Sequence, residues 1–185
     1  MRFIGYHGTC AEAANRIIAE GFKNVNKRAR AGPGAYFWAG EGALELRAVE
    51  LSRTWAAQML HAGAYDSFRD KRTVVIKAEF EIEVSEYLDV DQRFSHFALV
   101  ALQEKSTALG SPFKDEASLY AAYIKLQQVE YLKKGTELKV VKAFMPAPAR
   151  FSWDFTPYLT KNVVAYIVQP NALGLVGPDA LTIVN

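Results

Sequence analysis

Three small or polar residues, His7-Gly8-Thr9, stand between an apolar aromatic segment and a helix, and that junction constrains the chain more than any other stretch. Phe3-Ile4-Gly5-Tyr6 is short and aromatic, as a buried strand is. Ala11, Ala14, Ile17 and Ile18 recur at helical spacing, and Gly21 stands where a C-terminal cap belongs. The spacing predicts a strand, a polar trio at its end, and a helix. Functional residues concentrate where an element gives way to a connection.

Further along, Gly32-Pro33-Gly34 marks a turn before a compact aromatic strand over 35–38. Leu44, Leu46, Val49, Leu51, Trp55, Ala56 and Met59 predict an amphipathic helix over 43–59. Residues 73–83 alternate: Val74, Ile76, Ala78, Phe80 and Ile82 face one way, with Val75, Lys77, Glu79, Glu81 and Glu83 opposite, as in a half-exposed antiparallel strand. Helices are predicted over 94–103 and 115–132, the latter with Leu119, Ala122, Tyr123, Leu126 and Val129 or Glu130 on one face. Strands are predicted over 137–144, 163–168 and 181–184. Strands and helices mix without a βαβ alternation, so the class is α+β. No repeat or linker divides the chain, which reads as a single domain over 1–185. A long connection over 145–161 carries Pro146, Pro148 and Pro157.

Charge and composition exclude several classes. The 22 basic and 20 acidic side chains leave a net +2, so there is no global case for nucleic-acid binding. Lys23, Lys27, Arg28 and Arg30, however, share a stretch with no acid between Phe22 and Phe37. Such a loop either holds phosphates or is simply a solvated surface. No apolar run reaches the roughly 18 residues a membrane span needs. The opening lacks a signal-peptide pattern, and the single cysteine rules out an internal disulfide, which makes a reducing, cytoplasmic setting the expectation. His7, His61 and His96 show no metal-ligand spacing. Cys10 invites a Cys–His nucleophile reading but lacks an evident Asn or Asp partner, and a small residue opening a helix packs well. There is no P-loop, Rossmann glycine run or Gly-x-Ser-x-Gly.

The order "YHGT", a helix ending in "EGF", a basic loop and "GPGAYFW" resembles the NAD-binding core of the poly(ADP-ribose) polymerase-like, His–Tyr–Glu type ADP-ribosyltransferases. In that family a His-Gly-Ser/Thr strand end is followed by a helix and a Gly-x-Gly-x-Tyr-Phe strand. The match covers residues 6–37, with a weaker echo to about Leu175. The resemblance implies an ADP-ribosyltransferase-like fold, two packed and mostly antiparallel sheets with flanking helices, holding NAD between their lips. It implies that His7 hydrogen-bonds the adenosine ribose and that the Gly8 backbone N–H and C=O hold the nicotinamide carboxamide. Glycine suits that approach because it carries no Cβ. Thr9 would support a ribose or the amide, and Tyr36 would stack on the nicotinamide. On charge and position alone, Arg28 or Arg30 would pair with the pyrophosphate.

Two departures from the family pattern matter. Arg47 stands where polymerising members carry a second stacking tyrosine. The family's glutamate opens a strand of the type Glu-Tyr-x-Val, and here "VVAYIVQPNAL" puts Ala165 in its place beside His7 and Tyr36. A methyl group neither accepts a hydrogen bond nor offsets the positive charge that develops as nicotinamide leaves. The chain is then an inactivated form of a toxin or a natural pseudoenzyme, or the acid lies elsewhere. Glu130 in "QQVEYL" is the best substitute, and Gln169 stands too far along the strand. The resemblance thus implies transfer of ADP-ribose from NAD to a macromolecule, the basic loop favouring nucleic acid over protein. An NAD glycohydrolase and a non-catalytic NAD- or ADP-ribose-binding module are the alternatives. A short domain of this kind fits a bacterial or phage-defence toxin, which implies a neutralising antitoxin protein.

Overall fold

A computed structural model describes residues 1–23, 31–149 and 162–184. In chain order its elements are β1 (Arg2–Cys10), α1 (Ala11–Glu20), β2 (Ala35–Ala39), α2 (Glu45–His61), β3 (Thr73–Glu81), β4 (Tyr87–Asp89), α3 (Arg93–Ala108), α4 (Glu116–Lys133), β5 (Val140–Pro146), β6 (Asn162–Val168) and β7 (Leu181–Val184). The class is α+β. The seven strands join in one sheet, ordered β4-β5-β6-β2-β1-β3-β7, in which only the β4–β5 pair is parallel.

That single sheet corrects the expectation of two packed sheets. The physical reason lies at its centre. β2 pairs with β6 through four residues, from Ala35↔Val168 to Trp38↔Ala165, but with β1 only at Gly5↔Ala39 and Tyr6↔Trp38. β1 in turn pairs with β3 along its whole length, from Arg2↔Glu81 to Cys10↔Thr73. Two broader half-sheets therefore meet at a seam two residue pairs long.

Alternation along the strands assigns side chains to two faces. On one face Phe3, Phe37, Ile76, Phe80, Tyr166 and Val168 form a core with α1 and the short 3-10 turns of Pro170–Val176 and Pro178–Ala180. α1 closes as its sequence predicts: Gly21 takes φ 74° and its N–H donates to Ile17 O at 2.8 Å. The opposite face is covered by α2 over β1 and β3, and by α3 and α4 over β5 and β6. Val75, expected on an exposed face, is buried there beneath α2. The sheet-facing side of α2 is mostly small, with Ala48, Ser52 and Ala56 buried, whereas Leu46 points outward. Among the described residues, no helix is long and apolar enough to cross a membrane.

Candidate functional site

The trio does not stand at a strand end, as the sequence pattern suggests; all three residues lie inside β1, paired with Ile76, Val75 and Val74 of β3. They do lie beyond the end of the seam. Gly40 N donates to Ile4 O at 3.0 Å, so even-numbered residues of β1 turn their backbone polar groups toward β2. Continuing the register past Tyr6↔Trp38 sets Gly8 opposite Tyr36, but that pair does not form. Instead the imidazole of His7 donates from Nδ1 to Tyr36 O, at 2.9 Å. A side chain has taken the carbonyl that would have received the Gly8 N–H. The Gly8 N–H, on the edge of β1 that faces β2, is thereby displaced from its cross-strand acceptor.

Because a carbonyl can only accept, this bond fixes the proton on Nδ1 and, in the neutral ring, leaves Nε2 as an acceptor. The ring is half-buried, with Phe22 packed edge-on at 5.1 Å and Phe37 at 6.0 Å. Loss of hydration pushes the imidazole pKa below its ordinary 6.5, with the Tyr36 carbonyl opposing the shift. His7 is thus held neutral at physiological pH.

Gly8 is glycine for a reason besides ligand approach. A Cβ there would fall 1.8 Å from the Ser52 carbonyl oxygen of α2. The space is already occupied by helix backbone, and only the in-plane groups of Gly8 face the seam. Ser52 itself is fully buried, and its Oγ has no hydrogen-bond partner among the described residues. Thr9 is also buried, with its hydroxyl in reach of the Tyr65 phenol, and so braces the end of β1.

Tyr36 is held at its tip. Its hydroxyl donates to Gly32 O at 2.6 Å and accepts from Ala31 N at 3.1 Å. Gly32 takes φ 81°, the left-handed conformation this loop requires. Burial pushes the phenol pKa well up, with the Ala31 N–H opposing. The ring is half-buried, packed at the edge of the cluster beneath α3 and α4.

Ala165 pairs with Trp38 on one side and Ala143 on the other. Its rung, Tyr6–Trp38–Ala165–Ala143, is next to the rung that carries Tyr36 and Ile167, on the same face of the sheet. Around the seam the sheet thus sets His7 on the face that holds Phe22 and Phe37, and Tyr36 and Ala165 on the opposite face, with Gly8 in the strand between them. Ala165 is only 2 % exposed, so its methyl is enclosed by its neighbours. Glu130 lies elsewhere, exposed on α4 and paired with Lys133 at 2.7 Å. Gln169 is fully buried at the end of β6, where its Oε1 accepts from Gln128 at 3.1 Å. Cys10 is buried where β1 meets α1. Arg28 and Arg30 lie outside the described residues, and Lys23 pairs with Glu20 at 2.6 Å.

Sequence reasoning missed Ser52, Tyr65 and Phe22. Nothing local marks Ser52 or Tyr65, whereas Phe22, directly after the Gly21 cap, carries the signal of an apolar residue tucked under a helix end. Among the described residues no three His, Cys, Asp or Glu side chains are grouped to hold a metal ion. The groups near the seam are the Tyr36 ring on one face of the sheet, the neutral His7 imidazole on the other, and the displaced Gly8 N–H in the plane between them. They suit a planar amide and a sugar hydroxyl and include no carboxylate. No protein-family model matches the chain, and no curated protein matches it either.

Proposed function

We propose that the chain binds NAD at the seam between β1 and β2, in the manner of the ADP-ribosyltransferases it resembles, and that the activity of this architecture is transfer of ADP-ribose to a macromolecule. The observation that carries this reading is the interrupted ladder at Gly8, where His7 takes the Tyr36 carbonyl and displaces the Gly8 N–H from it. A carboxamide oxygen can accept from that N–H, and under this reading the half-buried Tyr36 ring across the seam supplies the stacking face. The Nε2 of His7 accepts from a ribose hydroxyl. Under this reading the chain is toxin-like, with nucleic acid the favoured acceptor and a neutralising protein as its partner.

A second reading, a non-catalytic NAD- or ADP-ribose-binding module, is favoured by one observation: a buried methyl at Ala165, where a carboxylate would steady the ribosyl cation. Calorimetric titration with NAD, with nicotinamide release followed in the same samples, tests both. The expected outcome is binding that Tyr36→Ala weakens by about 1–3 kcal/mol through loss of the stacked ring. Unchanged affinity in a folded Tyr36→Ala protein would count against NAD at this seam. Binding without release supports the module. Release with labelled NAD and cell lysate supports catalysis: nuclease-sensitive or protease-sensitive label identifies the acceptor, and free ADP-ribose alone identifies a glycohydrolase.

A further inference from the structure

The helices α3 and α4 cover β5 and β6 and bury one face each, in a cluster that reaches Tyr36 of β2. Leu99, Tyr123 and Ile124 pack into the core with Leu138 and Val141 of the β5 region. Their outward faces are apolar as well. Phe94 is 84 % exposed and Leu126 51 % exposed, and Phe97, Leu109, Val129 and Leu132 are exposed too. Between the helices runs a groove of about 300 Å³ lined by Ala98, Ala101, Leu102 and Lys105 of α3 and by Leu126 and Gln127 of α4.

The positions have a pattern. On α3, residues 94, 98, 101 and 105 are separated by four, three and four; on α4, residues 122, 126, 129 and 133 repeat that spacing. Stripes recurring every 3.5 residues are the seams along which helices pack. Leu126 and Val129 read in the sequence as core positions, yet the fold does not cover them. A contiguous apolar surface of this kind marks an interaction site. Its flanks carry more cations than acids: Arg93 lies over the Phe97 ring at 5.6 Å, and Lys105, Lys125 and Lys134 are exposed, against Glu104 and a Glu130 that pairs with Lys133. A second copy of this chain would set these cations against each other, whereas an acidic helix would meet them with opposite charge.

We propose that the α3–α4 groove is a docking site for an amphipathic helix of a partner protein, with an apolar ridge seated on Ala101 and Leu126 and acidic residues facing Lys105 and Lys125. The groove faces outward, away from the core that the same helices share with Tyr36, and the proposal does not rest on NAD binding at the seam.

The test uses the full chain as bait for a displayed library of helical peptides with a fixed 4-3-4 apolar ridge and flanking positions free to be Glu, Gln or Lys. Binding of the selected peptides is measured by fluorescence anisotropy. Expected are Glu-enriched flanks, affinity that falls with salt, and at least about tenfold weaker binding to Ala101→Arg and Leu126→Arg, as for loss of a central anchor. Both changes are at exposed positions, and thermal melts by circular dichroism verify the fold. Lys105→Glu should shift the preference toward Lys-flanked peptides. No enrichment, enrichment indifferent to flank charge, or binding unaffected by the groove substitutions would overturn the proposal. So would a concentration-dependent dimer in sedimentation that Ala101→Arg abolishes, which would make a second copy the occupant.

Discussion

The two flanks of β1 are built from the same residues and do opposite things. Toward β3 the strand forms nine consecutive residue pairs, which tie its polar trio into the sheet as firmly as its aromatic start. Toward β2 it forms two, after which a histidine side chain intercepts the next carbonyl. One flank gives the strand a fixed position; on the other the pairing stops where a side chain takes over an acceptor. Position and reactivity of a site are usually assigned to different elements, a rigid strand and a loop. Under the proposed reading one strand would supply both, and the difference lies only in which neighbour each residue turns its N–H toward.

The largest effect that tests this comparison is expected at Gly8, which belongs to both flanks. Gly8→Ala places a methyl 1.8 Å from a helix carbonyl that cannot retreat without moving α2. A loss of about 3 kcal/mol or more in urea unfolding is expected, the upper range for overpacking. A variant of near-native stability would mean that α2 does not rest on β1 as described. Next comes Tyr36→Phe, which keeps the ring and removes both bonds at its tip. Ala31, fully buried, would keep an unpaired N–H, costing about 1–3 kcal/mol. Affinity for NAD should change little if the ring face makes the contact. A variant that keeps its stability but loses ligand would place the hydroxyl, not the ring, at the ligand.

The third effect is a pH dependence. The folded pKa of His7 lies below its ordinary 6.5, so the unfolded chain binds more protons in the window between the two values. Stability is complete above about pH 6.5 and falls as pH drops toward the folded pKa. His7→Gln should flatten that part of the profile in melts between about pH 7.5 and 5. A slope unchanged by the substitution would assign it to another group. The smallest effect is expected on the ladder flank. Glu79 accepts from Arg2 across β1 and β3 at 2.5 Å and pairs with Lys77 at 2.7 Å. Lys77 first, then Arg2, holds its carboxyl at about 2. The group is well solvated, so Glu79→Gln should cost no more than about 1 kcal/mol by denaturant midpoint. A larger loss than that from Tyr36→Phe would invert the comparison, making surface charge rather than pairing the source of the flank's rigidity.

How far the sequence was readable follows from the range of the interactions. The α1 helix and its Gly21 cap, and the compact strand after Gly32-Pro33-Gly34, are written in neighbouring residues and form where the pattern puts them. The reach of β1 to Cys10 depends on Thr73, more than sixty residues away, and nothing in the trio announces that partner. For the same reason His7, Gly8 and Tyr36 could be picked out by type and order, while the bond that links them could not. Helical periodicity in α4 identified an apolar face that includes Leu126 and Val129. It could not say whether the fold would cover it, because periodicity records that a face is apolar and not what meets it. Ala165 was placed in the correct strand, yet its burial depends on neighbours from β2 and β5.

The contact between Gly8 and Ser52 also bears on how related chains would be interpreted. Selection for packing alone is enough to retain a glycine at this position, whatever has become of the chemistry beside it. A descendant that had lost every trace of ligand binding would still keep Gly8, because its helix would have nowhere else to lie. The residue free to drift in such a lineage is His7, whose hydrogen bond to Tyr36 can be replaced by the backbone of the strand itself. If the proposed NAD site is correct, the presence of His7, rather than that of the glycine, would separate working members of a lineage from lapsed ones.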